Sequence, residues 1–125
     1  MRRVLVAVLL VVLSGCGQPQ PKPRVSYWVE ALRKPDARVR KEAAFKLGNL
    51  GPTDPAVSPA LIGALHDADA GVRCEAILAL TKCGPGAQAA IPALAALQQQ
   101  DPNARVRAYA SKALQKIRGE RGGTG

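Results

Sequence analysis

Pro35-Asp36-Ala37-Arg38-Val39-Arg40 returns as Ala68-Asp69-Ala70-Gly71-Val72-Arg73, and again as Pro102-Asn103-Ala104-Arg105-Val106-Arg107, at intervals of 33 and 34 residues. Self-similarity at this period marks stacked units, none of which can bury its apolar face alone. Downstream, Ala43, Ala76 and Ala110 correspond, as do Leu47, Leu80 and Leu114, and then Leu50, Cys83 and Ile117. Val39, Ala43, Leu47 and Leu50 are 4, 4 and 3 residues apart, the spacing that aligns side chains on one stripe of a helix. Each repeat is therefore expected to hold a helix whose buried face starts at Val39, Val72 or Val106.

A shorter helix precedes each of these. Ser58-Pro59-Ala60-Leu61 recurs 33 residues later as Ile91-Pro92-Ala93-Leu94, running on to Leu65 and Leu97 respectively. In the first repeat Tyr27 to Arg33 fills this role, with Trp28, Val29 and Leu32 as its apolar face. Gly51-Pro52 and Gly84-Pro85 separate the repeats; glycine can end a helix in the left-handed conformation and proline then prevents continuation. Leu97-Gln98-Gln99-Gln100 carries two extra residues before the third long helix, which predicts a longer loop there. No segment alternates in the manner of a strand, and aromatic residues make up only 3% of the chain.

The pattern Asp-x-x-Val-Arg-x-x-Ala-x-x-x-Leu, present in three copies with Asn103 for the last Asp, resembles HEAT repeats of the short kind found in phycobilisome lyases. The resemblance covers about residues 26–118, with repeats near 26–51, 52–84 and 85–118. It implies an all-α fold: three antiparallel helix pairs stacked into a right-handed α-α superhelix, with the second helices lining the concave side. It says nothing of enzymology, because the shared part is the repeat.

Asp36, Asp69 and Asn103 stand just ahead of the long helices, where a side-chain oxygen can accept an otherwise orphan backbone N–H. Arg40, Arg73 and Arg107 follow four residues on, close enough to pair with these caps. In HEAT families such residues also form a ladder between repeats. Asn103 removes one carboxylate, which leaves Arg107 the freest of the three. Opposite the buried stripe on a helical wheel lie Arg38, Lys41 and Phe45, then Gly71, Cys74 and Leu78, then Arg105, Ala108 and Lys112. The resemblance implies that this row faces the concave surface, presenting Phe45 and Leu78 between basic ends as a candidate partner surface.

Residues 1–15 read as a secretory leader: Arg2 and Arg3, an apolar run from Val4 to Leu13, then Ser14 and Gly15. Leu13-Ser14-Gly15-Cys16 resembles the lipobox of bacterial lipoproteins, which implies cleavage between Gly15 and Cys16 and acylation, such as by palmitate, of Cys16. Several acyl chains at ~0.8 kcal/mol per buried CH₂ anchor a protein firmly. Gly17 in place of an aspartate favours the outer membrane, facing the periplasm. Pro19, Pro21 and Pro23 make residues 16–24 an extended tether, and 119–125, with four glycines, reads as a frayed tail.

Without the leader's arginines the formal charge falls from +9 to +7. A basic module suits acidic partners or anionic head groups, and the export signal argues against nucleic acid. Cys74 and Cys83 are nine residues apart on one predicted helix, about 13.5 Å along its axis, too far for a disulfide. Cys83 takes a core position, and Cys74, on the opposite face, is the candidate free thiol. The lone histidine, His66, ends a short helix where the other repeats have Arg33 and Gln98. With one histidine and no paired acids beyond the caps, no catalytic constellation, metal site or cofactor site assembles. The expectation is a non-enzymatic protein- or peptide-binding module on an envelope membrane, with an anionic-surface binder as the alternative. With three repeats and no evident polar cap, weak self-association through an exposed end is a further expectation.

Overall fold

The structure is a computed structural model that describes residues 24–119; the leader, the acylation site at Cys16, most of the tether and most of the tail lie outside the described residues. Among the described residues six α-helices form three pairs: α1 Val25–Ala31 with α2 Ala37–Leu50, α3 Val57–Ala64 with α4 Ala70–Cys83, and α5 Ile91–Gln100 with α6 Ala104–Ile117. No strand occurs among the described residues. Each second helix has 14 residues, whereas the first helices grow from 7 to 8 to 10.

Caps set these boundaries. Asp36 accepts from the Arg38 N–H, Asp69 from the Val72 N–H, and Asn103 from both the Arg105 and Val106 N–H groups. At the other ends Gly51 and Gly84 take positive φ, 70° and 57°, and Pro52 and Pro85 lead into short 3-10 segments at Gly51–Thr53 and Gly84–Ala90. The extra residues of the third repeat lengthen α5 instead of the loop. Leucine and glutamine are good helix formers, so α5 continues to Gln100, and only Asp101–Asn103 separates it from α6.

The core runs through the stack. Leu47, Leu61, Leu65, Val72, Ile77, Leu80, Leu94 and Val106 are fully buried. The second helices pack against one another in sequence, α2 on α4 and α4 on α6, while the first helices scarcely touch each other. The second-helix layer is therefore the crowded, inner side of the stack. At its tightest point a Cβ added to Gly48 would lie 2.7 Å from the Ala79 Cβ.

Two members of the first apolar stripe are not in the core. Val39 is 36% exposed and Leu50 40%, although their counterparts Val72 and Cys83 are 0% and 7% exposed. Val72 has a repeat on either side; Val39 has only the seven-residue α1 on its outer side. The opposite end of the stack differs. Ser111 and Gln115 occupy on α6 the places that Ile77 and Thr81 hold on α4, so that end carries a polar face that the motif alignment did not reveal.

Candidate functional site: the second-helix face and its arginine ladder

The repeated arginines do not pair with their own caps. Arg40 and Arg73 each reach forward to the next repeat instead. Arg40 holds Asp67 through Nε at 2.8 Å and Nη2 at 3.1 Å, and Arg73 holds Asp101 with the same two distances. This two-pronged geometry is the strong form of the arginine–carboxylate pair. The remaining Nη1 donates backward, from Arg40 to the Lys34 and Pro35 carbonyls and from Arg73 to those of Asp67 and Ala68. A guanidinium thus clasps its own interhelix turn and the next one together, which fixes the offset between repeats. Arg107 donates only to the Asp101 carbonyl, at 2.7 Å, and makes no ion pair among the described residues.

Asp67 and Asp101 also accept from the backbone N–H of Asp69 and Asn103 two residues on. Burial works to raise their pKa values, but the arginine hydrogen bond, the backbone N–H and the nearby positive charge outweigh it, so both carboxyls sit below the usual range. Sequence reasoning missed this pair. A signal was available: Asp67 and Asp101 each precede a cap by two residues, where the first repeat has Lys34.

On the inner layer the structure brings most of the expected row together. Phe45 and Leu78 are 45% and 40% exposed, and Lys82 sets its Nζ 4.9 Å from the Phe45 ring centroid. One recess of about 160 Å³ lies among Lys41, Gly71, Leu78, Arg105 and Tyr109. A second, of about 290 Å³, is bounded by Arg38, Lys41, Glu42, Phe45 and Glu75. Lys41 and Glu75 border both, so the two form one groove. Lys112 and Ala108 line neither recess. Tyr109, one residue beyond the wheel position, reaches the groove where the Ala108 methyl is too short and Lys112 lies a turn farther along.

Cys74 is a floor and not a free surface thiol. It is only 8% exposed, belongs to the core cluster, and lies under the recess that Asn103, Arg105 and Tyr109 border. Burial pushes its thiol up, with partial relief from Arg105 and Arg73. Cys83, the expected core residue, is 7% exposed and its thiol is likewise raised by burial. Both are unbridged. His66 is exposed at the end of α3, and no group of three or more His, Cys, Asp or Glu that could hold a metal occurs among the described residues.

A family model for HEAT repeats matches residues 25–121. The chain belongs to the HEAT-repeat family. This HEAT-repeat stack is also similar to a solved structure, the complex of CpcE and CpcF of phycocyanin lyase from Nostoc sp. PCC7120, with a TM-score of 0.68 and 27% identity over 81% of the present chain. That alignment covers 40% of the lyase chain, so the HEAT-repeat chain spans about two fifths of its length. Comparison with curated proteins gives no match.

Proposed function

We propose that the chain is a non-enzymatic protein-binding module, held at a bacterial envelope membrane through an acylated Cys16 and presented to the periplasm from the outer membrane. The observation that carries the binding role is the inner-face groove, where exposed Phe45 and Leu78 lie between Arg38 and Lys41 on one side and Arg105 on the other. Exposed apolar side chains rimmed by charge are the usual make-up of a protein contact. Support comes also from the similar solved structure, which is a complex of two proteins. The lipobox-like Leu13-Ser14-Gly15-Cys16 supports the anchor.

The test is crosslinking and pull-down from envelope fractions at ~0.5 M salt, where surface charge attraction is largely screened. A partner held by wild type and released by Phe45→Lys supports the reading; equal capture by both ends it. The anchor has its own test. Palmitate label should enter the wild type and not a Cys16→Ser variant, and equal labelling sinks the lipoprotein assignment.

The alternative, an electrostatic binder of anionic membrane or acidic polymer, draws on the formal +7 charge left without the leader's arginines and on the outward Arg38, Lys41, Arg105 and Lys112. It requires that binding vanish at the same salt. Self-association belongs to the first repeat, where Tyr27, Val39 and Leu50 are exposed, because Ser111 and Gln115 make the far end polar.

A further inference from the structure

The recess over Gly71 is where the row of cations is interrupted. The position one before the repeated valine is Arg38, Gly71 and Arg105 in the three repeats. An arginine at the middle position would fill the space between Lys41 and Arg105; glycine leaves it open. The Lys41 chain passes beside the gap, its Cδ 3.9 Å from where a Gly71 Cβ would stand. Tyr109 and Leu78 wall the recess and Asn103 borders it. Lys41 and Arg105 make no ion pair among the described residues; Glu75 is the one carboxylate among the lining side chains, and the Asp69 carboxylate beside Gly71 is engaged by the Val72 N–H.

We infer that this recess is a carboxylate-binding subsite for an acidic side chain of a bound peptide, with the neighbouring Phe45 recess taking an adjacent apolar residue. This rests on the reading of the inner face as a protein-binding surface, and deepens it. The volume of about 160 Å³ is below the roughly 300–1,000 Å³ of small-molecule sites, which suits one side chain and not a free cofactor. Two unpaired cations against one carboxylate call for an anion, and charge-assisted hydrogen bonds from lysine and arginine are the strong ones. A bilayer surface cannot follow the groove into a gap between helices, so the occupant is a peptide. The shared border at Lys41 and Glu75 sets the acidic and apolar residues of that peptide side by side.

The probe is a fluorescein-labelled Glu-Leu-Glu-Leu-Glu peptide, with Gln-Leu-Gln-Leu-Gln as its neutral match, titrated by anisotropy against the purified full chain. The acidic peptide should bind and the neutral one should not. Gly71→Arg should weaken binding by about tenfold, the loss of one charge-assisted contact, although it adds a positive charge. Gly71→Ala places a Cβ 2.9 Å from the Asp69 Oδ1 and so disturbs that cap as Gly71→Arg does while leaving the recess open; it should stay within about twofold, and Arg105→Gln should weaken binding. Circular dichroism melts matched to wild type show that each variant is folded.

Unchanged or tighter binding by Gly71→Arg overturns the subsite, because charge alone would then explain the affinity. Loss of binding on Phe45→Lys with no effect of Gly71→Arg also overturns it while leaving the protein-binding role intact. Failure of the acidic peptide to bind, with phosphatidylglycerol vesicles bound through Arg105 instead, overturns both.

Discussion

Val39 and Val72 occupy the same place in the same motif, yet Val72 is wholly buried and Val39 is more than a third exposed. The motif around them is nearly identical; what differs is the neighbour. Val72 is enclosed by a repeat before it and a repeat after it, whereas Val39 is covered on one side only by a seven-residue helix. In a stack, burial belongs to the interface between units and not to the unit. Nearest-neighbour energetics of this kind are what a one-dimensional repeat array imposes.

The sharpest way to break the comparison is to put a charge at both valines. Val72→Asp buries an unpaired carboxylate at several kcal/mol, enough to unfold the middle repeat and with it the cooperative stack. Val39→Asp, with water on one side, should lower stability by about 1 kcal/mol or less. Thermal melts followed by circular dichroism decide it, and similar losses for the two variants would mean that the interface account is wrong.

The ladder supplies the next largest contrast. Asp101 is buried and ties Arg73 to the following repeat, so Asp101→Ala leaves a largely covered guanidinium without its carboxylate and should cost about 3 kcal/mol in denaturant titrations. Lys34 holds the corresponding position in the first repeat and clasps nothing with its side chain; Lys34→Ala should change stability by less than about 0.5 kcal/mol. Acid probes the same bonds. Because folding depresses the Asp67 and Asp101 pKa values, their stabilisation is complete above the unfolded carboxyl value of about 4 and is lost as pH falls through the lower folded values. The melting temperature should therefore drop as the pH falls below about 4, and the drop should be smaller in an Asp67→Asn, Asp101→Asn double variant.

How much of this was legible follows from range. Helix positions, caps and glycine stops are short-range matters, and Asp36, Asp69, Asn103, Gly51 and Gly84 all announce them within four or five residues. The same is true of the inner-face row as far as Leu78. The partners of Arg40 and Arg73 lie 27 and 28 residues away, and a helical wheel offers only the cap four residues off. Cys74 failed for the same reason. On an isolated helix it faces away from the core stripe, and only α6, a repeat later, covers it. The longer loop expected before α6 is instead an extension of α5, because nothing among Leu97, Gln98, Gln99 and Gln100 disfavours helix.

The smallest effects separate interface from unit most finely, because they can differ in sign. Gly48 and Gly63 both sit within helices, in α2 and α3. Replacing a helical glycine by alanine ordinarily gains about 0.5–1 kcal/mol through backbone entropy. Gly63 has open space around its Cβ position, so Gly63→Ala should show that gain. At Gly48 the added methyl would meet Ala79, at 2.7 Å from its Cβ and 2.9 Å from its Cα. Backbone on the far side cannot rotate away, so α2 and α4 must move apart, and overpacking of this kind costs roughly 1–3 kcal/mol. The net for Gly48→Ala should be a loss of about 1 kcal/mol, the overpacking cost less the helix-propensity gain. Opposite shifts of the denaturation midpoint at the two glycines would place the stability of the stack in the contact between second helices; shifts of the same sign would return it to the helices themselves.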